Sequence, residues 1–148
     1  MDAAAARVIA MWRYVDDLAM YDMGGEEDIP YLADPANGYY AVRSEEGELV
    51  AYCCFGADAR VPGGDYRADA VDIGMGLPPE ALGKGQGTAL MPVVLQFAEQ
   101  HFTAQRLRAT VAAFNERARR LCVRAGFRVA STFTREDGQR FVIYTKAP

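Results

Sequence analysis

Gly83, Gly85 and Gly87, with Lys84 and Gln86 between them, are the residues of this chain whose spacing most plainly offers chemistry. They follow an alternating stretch, Val71 to Leu77, closed by Pro78-Pro79, and they precede apolar residues at helical spacing from Leu90. That order predicts a strand, a tight loop and a helix N-terminus. The first amides of a helix lack intrahelical acceptors, the helix dipole favours negative charge there, and glycine admits a ligand closely. The chemistry on offer is anion binding, as in a nucleotide phosphate loop or a dinucleotide turn; the bland alternative is a flexible connection. The spacing is neither G-x-x-x-x-G-K-[ST] nor G-x-G-x-x-G, because the glycines run G-x-G-x-G and no Ser or Thr directly follows Lys84.

A second segment lies about thirty residues on: Asn115-Glu116-Arg117-Ala118-Arg119-Arg120-Leu121-Cys122-Val123-Arg124-Ala125-Gly126-Phe127. The first loop, Gly83-Lys84-Gly85-Gln86-Gly87-Thr88, resembles the acyl-CoA loop [RQ]-x-x-G-x-[GA] of the GNAT N-acetyltransferase superfamily, with Gly85 and Gly87 at its two small positions. The second is similar to that family's N-x-x-A-x-x-L-[YF]-x-x-x-G-F. Two motifs in the right order and at the right distance are far more specific than either alone, and the resemblance covers roughly Tyr39 to Tyr144. Two departures stand out: Leu82 where Arg or Gln is usual, and Cys122 where the aromatic residue is usual.

The resemblance implies an α/β fold in a single domain: a mixed, mostly antiparallel sheet, helices on both faces, and a splayed central pair of strands. It divides the chain into a helical acceptor-side segment, 1–38, and a sheet core with the cofactor loop, 39–148. It implies transfer of an acetyl group from acetyl-CoA to a primary amine, on a small molecule or a protein, by direct attack in a ternary complex. The alternative class is a non-catalytic acyl-CoA-binding or sensor module. The cofactor would lie along backbone groups of Met75, Gly76 and Leu77 and on the loop Gly83, Lys84, Gly85, Gln86, Gly87 and Thr88, with Asn115 reaching its arm. The family often uses a carboxylate on or near the splayed strand as base, which singles out Asp72 and then Glu80. Its usual acid is a tyrosine at the position of Cys122. A thiol has a pKa near that of the CoA thiol, so Cys122 is a candidate donor, with packing as the competing role.

Positioning these groups falls to elements read from periodicity. Ala3 to Leu18 predicts a helix with Val8, Met11, Trp12 and Val15 inward. No Lys or Arg occurs between Tyr14 and Val42, while acids and aromatics abound. In the resembled family this region walls the acceptor side. Trp12, Tyr14, Tyr21 and Asp22 would then favour a protonated amine; the alternative is that the aromatic residues are core and the acids solvated. A short helix is expected near Ile29 to Ala33, strands at Tyr39–Arg43 and Leu49–Phe55, and a loop from Ala57 to Ala68. Val71, Ile73, Met75 and Leu77 form an apolar strand face opposite Asp72, Gly74 and Gly76. A helix from about Gln86 to Phe102 has Leu90, Val93, Val94, Phe97, Ala98 and His101 on one side, kinked or delayed by Pro92. Leu107–Phe114 is the next strand. Asn115 caps a helix with Ala118, Leu121, Cys122 and Ala125 inward, and a hairpin turned at Asp137-Gly138 closes the chain.

Composition agrees with a folded domain: 148 residues, half of them apolar. An apolar run of membrane-spanning length and a signal-peptide pattern are both missing, and three cysteines without metal spacing point to reduced thiols in a cytoplasmic protein. One histidine rules out any site that needs two. Residues 1–100 carry 17 acids and 6 bases, whereas 101–148 carry 3 acids and 10 bases. The basic part is short and lacks interleaved aromatics, so nucleic acid is not an expected partner. The asymmetry suits an anionic cofactor and a cationic acceptor, or ordinary solvated surface. Homodimers are frequent in the resembled family.

Overall fold

The computed structural model describes residues 1–103 and 106–147. The described elements are α1 (Ala3–Ala10), α2 (Ile29–Ala33), β1 (Tyr39–Arg43), β2 (Leu49–Phe55), β3 (Val71–Gly76), α3 (Gln86–His101), β4 (Leu107–Ala112), α4 (Glu116–Arg124), β5 (Arg128–Thr134) and β6 (Arg140–Lys146). The pairings are mostly antiparallel, with β3 and β4 parallel. The chain divides into two compact units. One comprises Met1–Cys54 and Met75–Lys84; the other comprises Phe55–Gly74 and the chain from Gly85 onward.

In the first unit, Asp2 caps α1 by accepting from the Ala5 amide at 2.8 Å. Ala6, Ile9 and Ala10 form a core with Leu32 of α2, and Met1, Trp12, Met23, Ile29, Tyr39, Leu49 and Tyr52 pack against it. The helix expected to reach Leu18 stops at Ala10. The stripe Val8, Met11, Val15 that predicted its length faces outward, with Val15 74% exposed, and the buried stripe is Ala5, Ala6, Ile9 and Ala10. Small alanines let the helix pack closely, and burial of that face outweighs the larger but misplaced valines. The Arg13 guanidinium then closes the end, donating to the carbonyls of Ala10 at 2.9 Å and Trp12 at 2.8 Å. A 3₁₀ turn, Asp16–Tyr21, follows. β1 and β2, the two strands expected here, pair antiparallel from Tyr39↔Cys54 to Arg43↔Leu49.

In the second unit the strand order is β3-β4-β6-β5. β4 and β6 register from Leu107↔Lys146 to Ala112↔Phe141, and β5 pairs with β6 from Arg128↔Thr145 to Thr134↔Arg140. β3 and β4 register at two pairs only, Val71↔Leu107 and Asp72↔Arg108. The alternation expected of β3 is not an inside–outside alternation: Asp72 and Ile73 are both buried. Of the expected inward face of α3, Val94 and Ala98 are buried; Met91 and Leu95 join them, whereas Val93 lies 54% exposed. The helix runs unbroken through Pro92, which forgoes one main-chain bond on an exposed side. His101 is exposed, its Nδ1 3.0 Å from the Phe97 carbonyl and its ring stacked on Phe97. Asn115 caps α4 as expected, and Gly126, at φ +98°, ends it.

Candidate active site

The second unit holds the helix N-terminus of the glycine loop. Gly85 is the N-cap of α3 at φ +79°, a conformation costly for any residue with a Cβ. A Cβ there would meet nothing within 4 Å, so the space beside the loop is open. No side chain caps the helix, and its first turn, Gln86-Gly87-Thr88, carries no acid. The amides of Gln86, Gly87 and Thr88 are too early in the helix to have an acceptor of their own. These features fit a phosphate group, as in the pyrophosphate of acetyl-CoA. Lys84 is exposed and holds no ion pair among the described residues. Asn115 accepts from the Ala118 amide through Oδ1 at 3.2 Å, which leaves its Nδ2 donors unused among the described residues.

Asp72, the first candidate base, is committed elsewhere. Its oxygens receive Arg108 Nε at 2.6 Å, Arg108 Nη2 at 2.8 Å and Arg60 Nε at 2.7 Å. This carboxylate is 1% exposed, and its oxygens are occupied by two guanidiniums in a structural ion pair, which leaves it no room to contact a substrate. Arg60, Arg108 and Tyr66, which complete this cluster, were not legible as a group; the one signal was a charged Arg108 inside an otherwise apolar strand.

Cys122 is 3% exposed, and burial pushes its thiol up to about 11. The thiol therefore stays protonated at neutral pH inside the packing of α4, which favours the packing role. Cys122→Ser is expected to leave kcat within about threefold of wild type while lowering thermal stability by roughly 1 kcal/mol, the usual scale for a buried polar replacement. A loss of turnover above tenfold, with acetyl-CoA affinity unchanged, would make the thiol a proton donor after all. Tyr144 is also fully buried; its hydroxyl accepts from Arg119 Nε at 3.2 Å. Of the α4 arginines, Arg119 also donates to the Ala113 carbonyl and Arg120 pairs with Glu116, whereas Arg117 and Arg124 make no hydrogen bond among the described residues.

The first unit carries the acceptor-side candidates. Tyr14 and Asp22 come together: the Asp22 carboxylate accepts from the Tyr14 amide at 2.8 Å. The Tyr14 hydroxyl donates to the Leu77 carbonyl at 2.6 Å, just past the end of β3. Burial, then the charges of Asp22 and Glu80, push this phenol up to about 12, so it is neutral and a hydrogen-bond donor at physiological pH. Glu80, on a 3₁₀ turn at Pro79–Ala81, is exposed and engaged in no hydrogen bond or ion pair among the described residues. Trp12 packs on the α1–α2 core with its ring 6.1 Å from that of Tyr52. Tyr21 ends the 3₁₀ turn, partly exposed. Tyr52 was not expected here: its ring occupies the space that a side chain at position 76 would need, so Gly76 is glycine for close approach.

Known proteins supply the rest. The chain matches no curated protein in sequence. A family model described as "Acetyltransferase (GNAT) family" matches residues 7–127. Among solved structures, the fold is similar to that of a GNAT-family acetyltransferase from Bacillus anthracis, with TM-score 0.77 and 16% identity over 99% of this chain and 91% of that one. It is similar to the aminoglycoside acetyltransferase AAC(6')-Ib in complex with coenzyme A, with TM-score 0.75 and 19% identity over 99% and 91%. A phosphinothricin acetyltransferase from Sinorhizobium meliloti in complex with acetyl-CoA gives TM-score 0.71 and 18% identity over 99% and 85%. No helix among the described residues is long and apolar enough to cross a membrane. The two motifs, the open helix N-terminus and a family match spanning well over half of the chain lead to one conclusion: this protein belongs to the GNAT acetyltransferase family, whose members use acetyl-CoA to acetylate amine acceptors.

Proposed function

We propose that the acceptor is a cationic primary amine bound against the acidic, aromatic surface of the first unit, with Glu80 as the base. The observation that carries this is the placement of acids around Tyr14: Asp22 bonds its amide, its hydroxyl bonds the Leu77 carbonyl three residues before the exposed Glu80, and no basic residue lies between Tyr14 and Val42, so the local potential is negative. Such a potential attracts an ammonium group and disfavours an acceptor carrying a nearby carboxylate.

Bound acetyl-CoA supplies an acetyl thioester open to attack by a neutral amine. In the second unit, the amides of Gln86, Gly87 and Thr88 would hold the pyrophosphate and the Asn115 amide group its arm. In the first, backbone N–H groups of the Met75–Leu77 segment would be the donors available to polarise a thioester carbonyl. The Tyr14 O–H donates its hydrogen bond to the Leu77 carbonyl, so its oxygen lone pairs are left to accept from the ammonium. Glu80 would remove the ammonium proton, directly or through one water; as the N–C bond forms the thioester C–S bond breaks, and CoA leaves as a thiolate that takes its proton from water.

The test is a thiol-release assay with acetyl-CoA and a panel of amines: diamines, monoamines, amino acids and peptides with free N-termini. The expected ranking places di- and polycationic amines first, with kcat/KM falling as salt rises. Preference for amino acids, or no salt dependence, would overturn the acceptor assignment. Glu80→Gln is expected to lower kcat by about tenfold to a thousandfold, the range for general-base removal, and to flatten the acidic limb of the pH profile. An unchanged limb would transfer the role to another group.

A further inference from the structure

We infer that Asp72 and Arg108 are positioning residues for acetyl-CoA. Their buried ion pair pins β3 to β4 at the place where the two strands are in register, and a loop strapped down by Arg60 and Tyr66 covers the pin. The inference rests on the reading that backbone groups just beyond this point of β3 receive the cofactor.

The geometry is specific. β3 and β4 share only two registered pairs, and one of them is Asp72↔Arg108 itself. Across that pair the side chains form a two-pronged bond, Oδ1 to Nε at 2.6 Å and Oδ2 to Nη2 at 2.8 Å, with both residues 2% exposed or less. The third prong of the guanidinium, Nη1, donates to the Ala68 carbonyl at 3.0 Å. The main chain adds Val71 N–H to the Arg106 carbonyl at 2.9 Å. Past Asp72 no further β3–β4 partner is registered, and the strand continues to Gly74 unpaired with β4.

A parallel ladder of two pairs is weak, and an apolar side chain at either position would pack in more than one register. A slip of two residues would carry every amide beyond the pin by about 6.6 Å, enough to misplace any ligand bonded to them. A forked guanidinium and a carboxylate accept one alignment only. Buried ion pairs contribute little to net stability but are well suited to fixing register. That accounts for a buried charge pair here, where a pair of aliphatic residues would hold the strands at less desolvation cost.

The cover is built from the 57–69 loop. Arg60 Nε reaches Asp72 Oδ2 at 2.7 Å. Tyr66 lies under both guanidiniums, 4.9 Å from Arg108 and 5.5 Å from Arg60. Its hydroxyl bonds Thr110 Oγ1 at 2.8 Å and accepts from the Val61 amide at 2.9 Å. Every buried side-chain nitrogen and oxygen among the described residues has a partner. The loop therefore lies over the pair through Arg60 and Tyr66 and ties it to a second residue of β4, Thr110.

The experiment reads KM against kcat. Wild-type protein is first titrated with acetyl-CoA by calorimetry; no binding there would sink the cofactor reading on which this inference stands. Given wild-type binding, Asp72→Asn and Arg108→Lys are assayed by thiol release across pH. The expected result is a KM for acetyl-CoA raised about tenfold or more, kcat within about threefold, and an acidic limb of the kcat profile that persists. A kcat collapse with that limb lost and KM unchanged would make Asp72 the base and overturn the inference. An unchanged KM would overturn it equally. If circular dichroism shows either buried variant unfolded, Arg60→Ala decides, because Arg60 is 43% exposed and its removal opens the cover without burying a lone charge. A KM raised about threefold with kcat intact supports the pin; wild-type KM in that variant overturns it.

Discussion

Gly85→Glu is expected to weaken acetyl-CoA binding at least a hundredfold in calorimetric titration, about 2.7 kcal/mol. Two effects act together. A carboxylate beside the free amides of Gln86, Gly87 and Thr88 competes with, and repels, a phosphate at a helix N-terminus, where the dipole favours one negative charge. In addition, φ of +79° costs any residue with a Cβ about 1–2 kcal/mol, which falls on the fold rather than on the ligand. The open space around this position means that a side chain is not rejected by a clash. The variant should therefore fold, with only a small loss of thermal stability. Gly85→Gln separates the two effects, because it carries the same backbone strain and side-chain size as Glu but no charge; it should lose less than about tenfold. Equal losses in both variants would point to backbone strain instead of anion recognition, and a change below threefold in Gly85→Glu would take the cofactor off this loop.

The second large effect concerns folding. At Gly76, even a methyl group would sit inside the contact distance of the Tyr52 ring carbons Cε1 and Cζ, and 2.7 Å from the hydroxyl oxygen. The ring has little room to yield: it lies 6.1 Å from Trp12 and 6.0 Å from Tyr39, and all three pack on the core of Ala6, Ile9, Ala10 and Leu32. Gly76→Ala should then cost about 3 kcal/mol, toward the upper end for overpacking, and lower Tm by roughly 10 °C for a chain of this size. Tyr52→Ala alone should cost a similar amount through the cavity it leaves. The double variant is the informative one. Removing the ring makes room for the methyl group, so the pair should be at least about 1 kcal/mol more stable than the sum of the single losses. Strict additivity in thermal unfolding would show that the ring moves aside and that Gly76 is not held by Tyr52.

Read along the chain, local chemistry and tertiary packing left different marks. The sequence by itself determined the elements whose signals are local. The strands Tyr39–Arg43 and Leu49–Phe55, the Asn115 cap, the Gly126 terminator and the strand–glycine–helix order around Gly85 all appear where composition and turn chemistry put them, because each depends on residues only a few positions apart. The same local character made the two family motifs readable, and with them the acetyltransferase assignment. Only the tertiary structure decided which face of α1 and α3 is inside: two overlapping apolar stripes were present in each, and the winner was set by what packs against it. It also decided the fate of the carboxylates. Asp72 and Glu80 are both acids near one strand, yet Arg60 and Arg108 approach the first and, among the described residues, no side chain bonds the second. Those arginines lie 12 and 36 positions from Asp72, and Tyr14 lies 63 positions from the Leu77 carbonyl that it bonds. Charge pairing and hydrogen bonding over such separations depend on distance in space, which no spacing along the chain encodes.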